Sequence, residues 1–350
     1  MLGDAGRESV QRIAFLVAAV VAVTPVIAWS QQTSGTWVTP RTPDGRPDLQ
    51  GIWTTQTFTP LQRPEQFADR EFLTEEEAAA LTEVLTAPDV DPLRGRAFAD
   101  ALNQEDDQRR TRATVQADPT HYDNSVWLRT LEPKGLSSRR TSLIVDPVNG
   151  RIPQRTDEAR VRAARRNEAR GFDSYENRPA QERCLVWNHE GPPMTPPPYN
   201  DLYQIFQVPG YVVLFPEMAN NPPRIIPTDG RGHVSERIRQ WPGHSVGRWD
   251  GDTLVVDTTN FTDKTGFQGS GTELHVEERF TRVADDTIEY VFTVDDATTW
   301  VRPWTVELPM RRSEGPLYAY TCHEGNYGMR NTMRGARRAD RLSPGGSDSR

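Results

Sequence analysis

Tyr203-Gln204-Ile205-Phe206-Gln207-Val208-Pro209-Gly210-Tyr211-Val212-Val213-Leu214-Phe215 is the stretch on which the fold turns. Two β-branched and aromatic runs flank a Pro-Gly pair, which is how antiparallel strands joined by a tight turn are written in sequence. The pattern continues outward in Arg224 to Pro227, Ile238 to Trp241, Leu254 to Thr258, Glu273 to Arg282, Thr287 to Val294, Trp304 to Leu308 and Leu317 to Thr321. Asp250-Gly251 and Ala284-Asp285-Asp286 stand where hairpin turns are needed, so these aspartates read as turn formers. The expectation is a mainly β chain, an antiparallel β-barrel or sandwich. Gly51-Ile52-Trp53 matches the lipocalin Gly-x-Trp pattern and adds a lipocalin-like barrel to the options, although Gly247-Arg248-Trp249 repeats the same letters.

Upstream of this region, residues 31 to 70 are rich in Thr, Pro and Gln and hold one strand around Gly51 to Phe58, an extended arm expected to wrap the body. Thr74 followed by Glu75, Glu76 and Glu77 is a capping-box helix start, with Ala78, Leu81 and Leu85 on one face and Pro88 as the stop. Residues 89 to 120 are highly charged and predict a second, solvated helix. Thr141 to Val145 reads as a strand entering the Asp146-Pro147-Val148-Asn149-Gly150 turn, and Thr156 to Arg170 as a very polar helix. The expected organisation is therefore a leader over 1–30, an arm and mixed α/β region with two or three peripheral helices over 31–180, an antiparallel β domain over 181–335, and a disordered tail over 336–350.

The leader reading rests on Arg7 and Arg12 ahead of an apolar run from Ile13 to Val23, with Ala28 and Ser30 near a cleavage point. That run is shorter than the roughly 20 residues a membrane span needs. The mature chain is expected to start near Gln31, in the periplasm or outside the cell, with no membrane attachment after cleavage. A net charge of −8 makes nucleic acid an unfavourable partner. Lys134 and Lys264 are the only lysines, and neither lies in an apolar run that would suit Schiff-base chemistry. Cys184 and Cys322 are the only cysteines, and in an oxidising compartment one bridge between them is expected. Oligomeric state is not readable from these features.

Several constellations could carry chemistry. Gly243-His244-Ser245-Val246-Gly247 matches the nucleophile pattern of serine hydrolases, with Asp257 or Asp295 and then His323 in the right chain order. That pattern needs a strand handing the serine to a helix, whereas Arg248 to Val256 is a hairpin, so a plain loop is the expectation. His-Glu-Gly occurs at His189 to Gly191 and again at His323 to Gly325, each just after a cysteine. A Cys184–Cys322 bridge would draw both into one neighbourhood, able to act as acid and base or to hold a zinc-like ion, although no His-Glu-x-x-His spacing exists and no cofactor fingerprint is present. Alternation in Leu274-His275-Val276-Glu277-Glu278-Arg279-Phe280 puts Glu278 on the apolar face. An inward carboxylate needs a partner, such as Arg302 or Arg248, or it carries a raised pKa. Trp241, Trp249, Trp300 and Trp304 could floor an aromatic pocket.

Beyond single motifs, the set Tyr203 to Val213, Arg224-Ile225-Ile226-Pro227, Gly247-Arg248-Trp249, Gly251 to Val256, Cys322-His323-Glu324-Gly325-Asn326-Tyr327 and the arm Pro43 to Trp53 resembles a bacterial family of exported proteins to which no activity is assigned. The resemblance implies that His233, Glu278, Arg279, Asp295, Trp300, Arg302, Trp304, His323 and Glu324 stand at shared motif positions, and that His189 and His244 depart from the family pattern. The expected function is an exported enzyme processing a small apolar or aromatic molecule by acid–base chemistry. Hydrolysis, elimination and isomerisation all fit. His323, Glu324, Glu278, Asp295 and His233 would be catalytic, and Trp300, Trp304, Arg302, Arg248 and Trp249 would line the ligand. A non-catalytic periplasmic carrier using the same pocket, and a serine hydrolase using Ser245, are the alternatives.

Overall fold

The computed structural model describes residues 37–67, 69–85, 135–168, 171–172, 174–187, 189–197, 201–218, 222–264 and 267–342. The expected leader and the charged helix within 89–120 lie outside the described residues. Along the chain the elements are β1 (Gly51–Thr54), α1 (Glu75–Leu85), β2 (Ile144–Asp146), α2 (Asp157–Glu168), β3 (Leu202–Val208), β4 (Tyr211–Pro216) and β5 (Arg224–Pro227). They continue with β6 (His244–Asp250), β7 (Thr253–Thr259), β8 (His275–Ala284), β9 (Thr287–Asp295), β10 (Trp304–Ser313) and α3 (Tyr327–Leu342).

The strands form one antiparallel sheet in the order β5-β4-β3-β1-β10-β9-β8-β7-β6, with β2 also on β10. Its two ends, β5 and β6, come side by side, so the sheet is nearly closed into a barrel. Tight turns set the local registers: Val208 pairs Tyr211 across Pro209-Gly210, and Asp250 pairs Thr253 across Gly251-Asp252. The expected arm contributes a central strand, because Trp53 pairs Tyr203 on one side and Arg312 on the other. Two candidate strands do not form. Ile238 to Trp241 makes only a single bridge, Gln240 to Phe261, and Leu317 to Thr321 is irregular.

Alternation along each strand fills the interior. Trp53, Tyr203, Leu214, Ile226, Leu254, Val256, Phe280, Tyr290, Phe292, Trp304, Val306 and Leu308 belong to one continuous core. These side chains occupy the inner face of the sheet along its length. A second cluster, Phe67, Leu73, Leu81 and Leu85, packs beneath α1. The start of α1 is the expected capping box, with Glu77 N–H donating to Thr74 Oγ1 and Thr74 N–H to Glu77 Oε2. α3 runs on through Gly335, where a tail was expected, since one glycine weakens a helix by only about 1 kcal/mol.

The Gly-x-Ser-x-Gly segment is neither an elbow nor the expected loop; it enters and forms β6. Gly243 has φ +69°, and a Cβ there would lie 2.6 Å from Thr259 O. At Gly247 a Cβ would lie 2.9 Å from Ile226 Cγ2, across the β5–β6 seam. Both glycines therefore answer to close approach, the second being what lets the barrel draw shut.

Candidate functional site

The residues expected to act together are dispersed. Glu278 does face inward and is fully buried, but its partner is Arg224 rather than Arg302 or Arg248. Arg224 Nη1 donates to Glu278 Oε1 at 3.0 Å and Nη2 donates to Oε2, while Tyr290 Oη–H donates to Oε1 at 2.7 Å. The same guanidinium reaches Ser245 Oγ at 3.2 Å, and Tyr290 Oη accepts the Met194 N–H. Arg302 lies outside on Asp146, and Arg248 is outside near Glu277. Trp300 and Trp304 meet edge to face within the core, and Trp249 packs partly buried against it.

His323 and Glu324 are exposed, and among the described residues neither side chain makes a hydrogen bond or ion pair. They follow Cys322, which is bonded to Cys184 with Cα atoms 5.7 Å apart. The bridge forms as expected, yet it does not unite the two His-Glu pairs. His189 and Glu190 turn into the protein, while His323 and Glu324 turn out. Ser245 donates to or accepts from Thr258 on the inner face, whereas its neighbour His244 and Asp257 are on the outer face, so Ser245 does not assemble with them.

Among the described residues, buried ionisable groups are concentrated at the barrel end where β3 starts and β4 finishes. Glu190, Asp201 and Glu217 are 2 %, 1 % and 3 % exposed. Tyr203 leads inward beside them and donates its hydroxyl to His189 O at 3.2 Å. His189 Nε2 is 3.6 Å from Glu190 Oε1, and neither Glu190 oxygen has a hydrogen-bond partner. Burial, then the charges of Glu217 and Asp201, hold the Glu190 carboxyl well above its ordinary range. Burial pulls His189 down to about 4. Burial thus favours the protonated carboxyl and the neutral imidazole side by side.

The misread segment Leu317 to Thr321 covers this end. Tyr318 N–H donates to Glu217 Oε1 at 3.1 Å, and Tyr320 packs edge-on against Trp187, which in turn meets the His189 ring. Arg224, Tyr290, Asp201 and Glu217 were missed as site residues. A signal for Arg224 existed, since alternation in Arg224-Ile225-Ile226 places it on the same face as the buried Ile226.

A second constellation lies on the outer face. Asp257 on β7 accepts from His233 Nε2 at 2.7 Å and from His275 Nε2 at 2.6 Å, and His233 Nδ1 is 3.0 Å from His244 Nδ1. Asp295 pairs across from His275. The hydrogen bond that His275 donates to Asp257, partly opposed by burial, raises the His275 pKa. Here the structure brings together two expected residues, His233 and Asp295, without His323 or Glu278.

Comparison with protein-family models, with curated proteins and with solved structures returned no match. Among the described residues no helix is long and apolar enough to cross a membrane, and no group of three or more His, Cys, Asp or Glu is arranged to hold a metal ion.

Proposed function

We propose that this chain is an exported enzyme that acts by acid–base chemistry on a small, largely apolar or aromatic molecule at the Glu190–His189 end of the barrel. The observation that carries the reading is the buried Glu190 carboxyl, without a hydrogen-bond partner and with Oε1 3.6 Å from His189 Nε2, where burial raises the carboxyl pKa and lowers that of the imidazole. Such a pair supplies one donor and one acceptor, which hydrolysis, elimination and isomerisation all need. In this reading Glu190 gives a proton and His189 takes one at its Nε2, with Trp187 and Tyr320 as aromatic walls. His189 keeps 17 % of its side chain exposed, although its Nε2 and both Glu190 oxygens are buried. The leader-like residues 1–30 and the Cys184–Cys322 bridge support passage into an oxidising compartment. The motif resemblance adds no activity.

The test is to incubate the small-molecule extract of the native envelope with the protein and with Glu190→Gln, and follow every component by mass spectrometry. A compound consumed by the parent chain and left intact, though still bound, by Glu190→Gln supports the enzyme. A compound bound tightly by both and changed by neither replaces it with the carrier. Equal turnover by both proteins removes Glu190 from the chemistry.

A further inference from the structure

We propose that His233 and His244 chelate a divalent transition-metal ion of the zinc, nickel or copper kind through their Nδ1 atoms, with Asp257 as the carboxylate that orients the first ring. Two imidazole nitrogens on a tetrahedral ion with bonds of about 2.0–2.1 Å stand about 3.3 Å apart. The observed 3.0 Å between the two Nδ1 atoms is within a few tenths of an ångström of that spacing.

The tautomers support the same assignment. Asp257 Oδ1 can only accept, so His233 Nε2 carries the hydrogen and its Nδ1 presents a lone pair toward His244. A carboxylate behind the far nitrogen of a ligating histidine is the usual outer-shell arrangement at metal sites. His244 contributes a matching lone pair once its own hydrogen moves to Nε2, which exchange with water allows.

Both rings are held. His244 enters β6 opposite Thr259, fixed by the tight approach of Gly243 to the Thr259 carbonyl. His233 sits on the connection between β5 and β6, which Asn260 anchors through its side-chain amide to Val234 O at 3.0 Å. The rings meet edge to face, with centroids 5.2 Å apart. Asp257 and Asp295 lend negative charge to this face, favouring a dication. Imidazole suits zinc, nickel and copper, whereas magnesium and calcium prefer oxygen ligands. With two protein ligands, water completes the coordination. His275 shares Asp257 but is not a ligand in this assignment. The site is on the opposite face of the sheet from the core and does not depend on the Glu190 reading.

The experiment is zinc titration of the full chain, disulfide intact, by calorimetry and thermal unfolding, with the copper-loaded parent chain examined by electron paramagnetic resonance. One ion per chain is expected, with a Tm that rises with zinc and two coupled imidazole nitrogens in the copper spectrum. His233→Gln and His244→Gln should each weaken binding more than 100-fold. Asp257→Asn should weaken it 10- to 100-fold, and His275→Gln less than threefold. No saturable binding by the parent chain, binding retained in either His233→Gln or His244→Gln, or a nitrogen count other than two overturns the proposal. A His275→Gln loss equal to theirs also overturns it, because the ion would then lie around Asp257. The nitrogen count is read on the parent chain and survives any variant that fails to fold.

Discussion

Replacing Arg224 by Met would leave the fully buried Glu278 carboxylate with only the Tyr290 hydroxyl as a partner. The lost guanidinium makes a two-pronged contact with that carboxylate and also reaches Ser245 across the β5–β6 seam. Breaking a buried pair from one side costs about 3–5 kcal/mol, because the remaining charge is uncompensated. At roughly 1.4 kcal/mol per factor of ten, the unfolding constant should rise by two to nearly four powers of ten. Arg224→Met/Glu278→Leu should recover most of this, since an apolar pair of similar volume carries no desolvation penalty. It should remain about 1–2 kcal/mol below the parent, because Tyr290 loses its acceptor. Urea unfolding with the disulfide intact, followed by circular dichroism and tryptophan fluorescence, measures all three differences, provided the two transitions coincide. A loss under about 1 kcal/mol for Arg224→Met, or a double variant no more stable than the single one, would refute the reasoning.

The Glu190 carboxyl, raised in the folded state above 4.5, binds protons that the unfolded chain has released, so its contribution is complete below about pH 4.5 and declines as pH rises above it. Glu190→Gln should flatten that decline in unfolding free energy measured from pH 4.5 to 8; an unchanged slope contradicts it. His189, lowered from 6.5 to about 4, works in the opposite sense: stability is present above pH 6.5 and falls as pH drops toward 4, by about 3 kcal/mol in all. His189→Asn should remove that acid loss, and the imidazole proton shifts should titrate near 4 in the parent. Reducing Cys184–Cys322 opens a loop spanning 138 positions and should cost about 5 kcal/mol on chain-entropy grounds, read as a fall in the urea midpoint. Gly247→Ala pushes a methyl into Ile226 across the seam and should cost about 1–3 kcal/mol; a neutral result would mean that β5 and β6 have room to part.

Much of the architecture was legible because hairpins are local. Tyr203 to Phe215 needed only its own turn, and the strict alternation around Glu278 correctly sent that carboxylate inward. The arginine that meets it was not legible, because pairing of Arg224 with Glu278 depends on how the far end of the sheet curls back. Ile238 to Trp241 and Leu317 to Thr321 have strand composition, but strand propensity reports a fit to a neighbouring strand, and neither segment forms a ladder with one. The centre placed on His323 failed to assemble for a related reason. A disulfide fixes the positions of Cys184 and Cys322 but not the direction in which the residues after them turn. Three carboxylates drawn together at Glu190, Asp201 and Glu217 left no spacing signal, since 27 positions separate the first from the last.

The place of β1 between β3 and β10 also governs how the protein must be made. Trp53 is synthesised early, but one of its two flanking strands holds Arg312, some 260 positions later. Closing so distant a contact is slow, and until it closes Ile52 and Trp53 lack one of the two strands that flank them. The sheet closes only after β10 has been made, so a polypeptide lacking either β1 or β10 should forfeit the same sheet.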